Sequence, residues 1–337
     1  MITKYYEYTK KIIKENFTFL LSIIIMFLIF LYPLPYYIYS PGGILDVNDR
    51  FSVSSGYSHD GSFYLTYVGV RNATIPLYLF SKIKKDWEIV PKKEVIGTNE
   101  TNHDNDIRDH LLLDESNDFA LINAYSLANK KIYITKKHLF ISYVSESIET
   151  KLKIGDEILT VNNIEVHTKS DIKKILDNYK ENDVIKFKVI RNNKEMVKTT
   201  KLTKVNNQTK IGIIVTSDYE ITTKPSIKFK FKNNESGPSG GFMMSLAIYN
   251  ALTKDDITKG YKIAGTGTIE ENGNVGEIGG IEYKIKAAEK ANADYFFAPS
   301  GDNYRDAKRI AKKNKYHIKV IEFKNMKDAI AFLKNLS

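Results

Sequence analysis

An α+β multidomain protein with an N-terminal membrane anchor is the fold class that three features of this sequence predict. A run of 23 residues from Phe17 to Tyr39 carries no charge. The middle of the chain is rich in strand-like text, and roughly the last 120 residues mix helical and short apolar segments. At 337 residues the chain is long enough for two or three domains, each with its own core. Cysteine is absent, which excludes disulfide staples, thiolate metal sites and a cysteine nucleophile. The formal charge is +10, yet only six of the fifty basic residues are Arg, and the lysines are scattered among acids. Nucleic-acid readers lean on bidentate Arg, so no nucleic-acid partner is expected. A basic surface of this kind suits solvation, with some attraction to an anionic membrane or wall.

Residues 1–16 hold four Lys and two Glu and read as a cytoplasmic tail. Residues 17–39 read as a transmembrane helix: at about 1.5 Å per residue they reach across a hydrocarbon core of about 30 Å. Pro33 and Pro35 would end or kink it near the outer face, and Tyr32, Tyr36, Tyr37 and Tyr39 suit an interfacial belt. Lys4, Lys10, Lys11 and Lys14 precede the run, and no Lys or Arg follows until Arg50. The positive-inside rule then places the N-terminus in the cytoplasm and everything after Ser40 outside it. No A-x-A-like cleavage site follows the run, so a retained single-pass anchor in the cell membrane is expected.

Residues 40–130 read as a β-rich juxtamembrane region and connector. SFYLTYVGV and TIPLYLFSKI are strand-like, residues 97–110 are a polar loop or hinge, and LLLDESNDFALINAYSLANK is a helical connector. Between 131 and 210 lie five strand candidates, with the amphipathic helix SDIKKILDNYK between the third and the fourth. Within this stretch Leu152, Gly155, Asp156, Ile158, Val161 and Asn162 follow the spacing leucine-x-x-Gly-Asp-x-Ile-x-x-Val-Asn. Singly these are structural residues; as a set they resemble PDZ domains. That resemblance implies peptide binding by strand addition along His138–Val144, with Leu139, Phe140 and Ile141 in the groove. Lys136, Lys137, His138, Leu139 and Phe140 stand where PDZ domains carry a glycine-rich carboxylate loop, so strand addition is expected while capture of C-termini or of internal strands stays open.

Residues 215–337 read as an α+β domain. The stretch NNESGPSGGFMMSLAIYN, residues 233–250, sets Ser239 in a Gly-Pro-Ser-Gly-Gly turn ahead of an almost wholly apolar helix. Such a turn bends sharply and leaves little bulk around the serine, while the helix aims its free N–H groups at it. Ser239 is either a helix cap or a nucleophile. The six histidines never reach ligand spacing and no G-x-x-x-x-G-K-[ST] loop occurs, so no metal, nucleotide or other cofactor is expected. A nucleophilic Ser239 would need a lysine as base, and Lys262, Lys284 and Lys286 are candidates. Ile281, Lys284, Ile285, Ala288 and Ala291 share one helical face, so Lys284 points inward. Lys286 sits with Glu282 and Glu289, as on a solvated face. A lysine whose stem packs while its head reaches water remains the alternative.

GPSGGFMMSLAIYN resembles the Gly-Pro-Ser-Ala-Gly motif of Lon-type proteolytic domains. GTGTIEENGNVGEIGGIEYKIKAA resembles their second motif, a Thr-Gly hairpin leading to Gly-Gly-x-x-x-Lys. By position the resemblance makes Ser239 the nucleophile, Lys284 the general base and Thr266 the threonine that hydrogen-bonds the lysine. Gly240 departs from the family's alanine, and no ATPase module precedes the domain. Taken with the anchor and the PDZ-like unit, the chain is similar to the membrane-anchored PDZ–Lon-type serine proteases of Gram-positive bacteria.

The implied activity is an ATP-independent, extracytoplasmic serine endopeptidase that cleaves secreted peptides or exposed segments of membrane proteins. Backbone groups of Gly237, Pro238 and Gly240 would flank the oxyanion, and Lys228, Phe229, Lys230 and Phe231 would bind substrate by edge pairing. The competing expectation is a catalytically silent membrane scaffold whose PDZ-like unit holds a partner peptide. Self-association into a homo-oligomer is left open.

Overall fold

The computed structural model describes residues 2–97, 100–205, 208–232 and 235–336. Thr98 and Asn99 of the expected polar loop, and Asn233 and Asn234 ahead of the serine turn, lie outside the described residues. The chain divides into two compact units, one made of Met1–Pro41 and Gly69–Val95, the other of Gly42–Val68 and Ile96–Ser337.

The first unit begins with α1 (Ile2–Glu15) and α2 (Phe17–Leu31), bent by 74° at their break. α2 has no charged residue and no buried one. It stops at Leu31, and the chain from Pro33 is extended, with Tyr36–Tyr39 paired antiparallel to Glu88–Pro91. The expectation of one helix over 17–39 is therefore corrected. Pro33 and Pro35 lack an amide hydrogen and push their predecessors away from helical geometry, and Tyr36, Tyr37 and Tyr39 after them suit a strand. Fifteen helical residues span about 22 Å. No single helix among the described residues is long and apolar enough to cross a membrane, although the bent α1–α2 pair meets the requirement by length and composition. Two short helices complete the unit: α3 (Ile75–Ser81), with Pro76 in its first turn, and α4 (Lys92–Val95).

In the second unit, α5 (Asn102–Leu127) begins well before the expected connector. Thr101 and Asp104 form a reciprocal capping box that starts the helix inside the stretch expected to be loop. An antiparallel sheet follows, in the order Ile213–Lys224, Lys131–Val144, Glu157–Val161, Val184–Arg191, Lys194–Lys201. α6 (Lys169–Leu176) contributes Ile172 and Ile175 to its core beside Leu139, Ile141, Ile158 and Phe187. Asp156 is fully buried and bound by Arg191 at 2.6 Å, so this signature residue is structural.

Two expectations change here. Strand 213–224 is an outer strand of this sheet rather than the opening of the last domain, because it pairs along the whole of Lys131–Val144. Leu139, Phe140 and Ile141 consequently face Ser217, Thr216 and Val215 across one edge. On the other edge Phe140 pairs with Glu157, and the Ile141 amide donates to the Asp156 carbonyl at 2.9 Å. With both edges paired and the Leu139 and Ile141 side chains buried, the expected groove offers no edge to an added strand.

A parallel sheet forms the other half of the unit. Lys262–Gly265 lies between Ser62–Leu65 and Tyr295–Pro299, and Lys319–Phe323 follows outside. α7 (Gly241–Leu252) is buried almost throughout, as its apolar composition predicts. α8 (Ile281–Lys290) and α9 (Asp302–Asn314) make the crossovers that parallel strands require, and α10 (Met326–Lys334) closes the unit. The core around α7 unites Phe242 and Leu246 with Val47, Phe51 and Phe63, and with Leu121 and Tyr125 of α5. Residues 42–68 and 102–127 thus belong to the fold that carries Ser239, because their apolar faces have no other core.

Candidate active site

The serine turn is built in three steps. Gly237 adopts φ +86°, a conformation few side chains tolerate. Pro238–Gly240 make one 3₁₀ turn, and α7 begins at Gly241 with its N-terminus beside Ser239. α5 pins the turn from one side. The Gly237 amide donates to the Asp109 carbonyl at 3.2 Å, and Ser116 Oγ donates to the Pro238 carbonyl at 3.0 Å. From the other side, the Gly267 amide donates to the Ser239 carbonyl at 2.8 Å, and Phe242 returns a bond to the Gly267 carbonyl at 3.1 Å. A Cβ at Gly241 would clash with Ser116 Oγ and meet Ile269 Cγ2 at 2.8 Å.

Thr266 joins the turn to the lysine. Its hydroxyl donates to the Ser239 carbonyl at 3.0 Å and accepts from Lys284 Nζ at 3.1 Å. Lys284 sits on α8, which Gly280 starts in a left-handed conformation. The lysine is 3% exposed, so its amine lies inside the protein. Burial pushes that amine down to about 8, against an opposing pull from the Glu282 carboxylate. Lys262, by contrast, donates to the Ala291 carbonyl at 2.7 Å. Lys286 is half-buried, and Glu289 does not serve a solvated face: its carboxylate accepts the amides of His317 and Ile318. No hydrogen bond among the described residues joins Ser239 Oγ to Lys284 Nζ. The two are linked through Thr266.

Of the residues expected around the oxyanion, Gly237 has its amide engaged and Pro238 has none. A cavity of about 730 Å³ opens beside the turn, lined by Glu115, Ser116, Phe119, Pro238, Ile269 and Glu271 among others. Lys228 and Phe229 lie in a short strand, Ile227–Phe229, that pairs with Phe51–Val53. The Lys230 amide donates to the Arg50 carbonyl at 2.8 Å, and the Phe229 and Phe231 rings stack 5.5 Å apart. The opposite edge of that strand has no strand partner among the described residues. Arg50, 7% exposed, binds Glu235 at 2.7 Å, two residues ahead of Gly237. No group of carboxylates and histidines among the described residues is placed to hold a metal ion.

Sequence reasoning missed Asp109, Ser116, Asn123 and Arg50. A signal existed for two of them: Ser116 and Asn123 lie seven residues apart, which puts them on one stripe of α5. Ser116 reaches the Pro238 carbonyl and Asn123 donates to the Glu270 carbonyl at 2.9 Å, whereas Asp109 acts through its backbone carbonyl, which no side-chain pattern reveals.

Residues 150–334 match the family described as the Lon protease (S16) C-terminal proteolytic domain. A Lon protease of Aster yellows witches'-broom phytoplasma (strain AYWB) is 30% identical over 97 residues, covering 29% of this chain and 12% of that protein. A Lon protease of Trichlorobacter lovleyi is 32% identical over 96 residues, covering 28% of this chain and 11% of that protein. The matched stretch is thus a small part of either relative's length. Since the family match takes in more than half of its residues, the chain belongs to the family of the Lon protease (S16) C-terminal proteolytic domain.

Proposed function

We propose that this chain is a membrane-anchored, ATP-independent serine endopeptidase working outside the cytoplasm, with Ser239 as nucleophile and Lys284 as general base. Membership of a peptidase family supports the reaction class. One observation carries the assignment of residues: a lysine buried to 3% exposure, its amine held by Thr266 and lowered to about 8, on the helix expected to supply the base. The neutral amine takes the Ser239 proton as Oγ attacks a peptide carbonyl. The resulting lysinium then protonates the leaving amine, and water hydrolyses the acyl-serine in the second half-reaction. The α7 N-terminus and the amides after Pro238 stabilise the tetrahedral oxyanion. Extended substrate docks on the open edge of Ile227–Phe229, and its side chain enters the cavity at Pro238 and Ser116. Secreted peptides and exposed segments of membrane proteins are the substrate class.

The test is cleavage of an unfolded model protein by the full chain with EDTA and without nucleotide. Turnover that disappears in Ser239→Ala is expected; loss on chelation with recovery on adding zinc would refute the Ser-Lys mechanism. The second reading, a silent scaffold, draws on the absence of a direct Ser239 Oγ–Lys284 bond. Resting serine enzymes often tighten such contacts only when substrate binds. A folded chain that captures peptides and never cleaves them would favour the scaffold.

A further inference from the structure

In the first unit a second apolar surface accompanies α2. α3 lies against α2, and α3 with the turn after it exposes Leu79, Phe80 and Ile83 at 58%, 46% and 78%. Three large apolar side chains in five residues form a patch that water solvates poorly. Lys82, Lys84 and Lys85, all exposed, share this stretch with one acid, Asp86. The Lys82 ammonium stands 4.9 Å above the Tyr78 ring and the Lys84 ammonium 5.1 Å above the Phe80 ring. Trp87 meets Phe80 edge-on at 5.4 Å.

Lysines laid over an apolar, aromatic tip suit the boundary between acyl chains and headgroups. Their stems lie along the apolar surface while the ammoniums reach lipid phosphates, and the rings sit at headgroup level. The neighbouring α2 makes this placement consequential. At about 22 Å it falls short of a hydrocarbon core of about 30 Å, and a short anchor gains from flanking interfacial contacts.

We propose that the segment Ile75–Trp87 is a second lipid contact, which seats Leu79, Phe80 and Ile83 in the interface of an anionic bilayer while Lys82, Lys84 and Lys85 bind its headgroup phosphates. The inference rests on the membrane-anchored reading above and adds the site, its residues and the charge of the lipid.

Trp87 is the chain's single tryptophan, so its fluorescence reports this segment without a label. The full chain is reconstituted into phosphatidylcholine vesicles with and without phosphatidylglycerol, and Trp87 emission is quenched with lipids brominated at shallow or deep acyl positions. Strong quenching by shallow bromines is expected, deepened by the anionic lipid. The triple variant Lys82→Gln, Lys84→Gln, Lys85→Gln should weaken it about twofold or more, and Leu79→Ser with Ile83→Ser should abolish it. An unquenched Trp87 in vesicles that retain the protein through an alkaline wash overturns the inference and leaves the anchor standing. Quenching that is indifferent to lipid charge and to the lysines overturns its electrostatic half. Loss of the protein in the wash overturns the anchored reading itself.

Discussion

Lys284 Nζ donates a 3.1 Å hydrogen bond to Thr266 Oγ1 inside the protein. The threonine's own hydrogen is committed to the Ser239 carbonyl, so the hydroxyl meets the amine only as an acceptor. This relay orients the lysine without protonating it.

The first prediction follows from the lowered amine. The reactive form is the neutral base, so kcat/KM should rise as pH increases through about 8 and level off above it. Lys284→Ala and Lys284→Arg should lose about a thousandfold or more, since one has no base and the other does not deprotonate. Lys286→Ala should stay near wild type. Rates against pH for the four proteins, with circular dichroism to confirm folding, decide it. A folded Lys284→Ala enzyme with near wild-type turnover would refute the base.

Thr266→Val removes both bonds of the relay at nearly constant volume. A hydrogen bond to a charged or polar partner is worth about 1–3 kcal/mol, so kcat should fall about ten- to a hundredfold with KM little changed. Thr266→Ser should recover most of the loss. Equal rates for the Val and Ser variants would show that the hydroxyl is idle.

Ser116 and Gly241 should couple. Ser116→Ala loses the bond to Pro238 and costs about 1 kcal/mol. Gly241→Ala alone drives its new methyl into Ser116 Oγ and costs about 1–3 kcal/mol. In the double variant part of that clash is gone, so the combined loss should be smaller than the sum of the two. Urea unfolding of the four proteins measures the coupling; strict additivity would show that the two sites do not touch.

Asp118 gives a pH dependence of opposite sign. Burial pushes its carboxyl up to about 8, helped by Asp218, Asp114 and Glu115 and opposed by the Tyr219 amide that it accepts. A carboxyl raised in the folded state adds stability below its unfolded range near 4, and that stability is lost as pH climbs through about 8. Asp118→Asn keeps an acceptor for Tyr219 and removes the titration. Wild type should therefore weaken relative to the variant between about pH 5 and about pH 9. Parallel unfolding curves at the two pH values would refute the shifted carboxyl.

What was legible in the sequence was whatever chemistry confines to a few neighbouring residues. A serine in a Gly-Pro-Ser-Gly-Gly turn and a lysine on an apolar helical stripe need only local spacing, so Ser239 and Lys284 stand out. Partners distant in the chain did not. Ser116 meets Pro238 across 122 residues, and its helix mixes Asp, Asn and Ser into the buried face, which blurs any amphipathic signal. Strand 213–224 looked like the start of a new domain because alternation reveals a strand and not its neighbour. The uncharged run 17–39 measured apolarity correctly, but Pro33 and Pro35 stop the helix inside it.

α5 carries a constraint on length rather than on composition. It engages the serine turn through Asp109 and Ser116. Interleaved with them, Glu115 and Asp118 accept the Ser217 and Tyr219 amides at 2.7 and 2.8 Å on the outer strand of the antiparallel sheet. Removing one residue between Asp109 and Glu115 would rotate everything beyond it by about 100° and shift it by about 1.5 Å. Either the serine turn or the sheet edge would then lose its partners. Sequence drift within α5 should accordingly proceed by substitution, with insertions and deletions confined to its two ends.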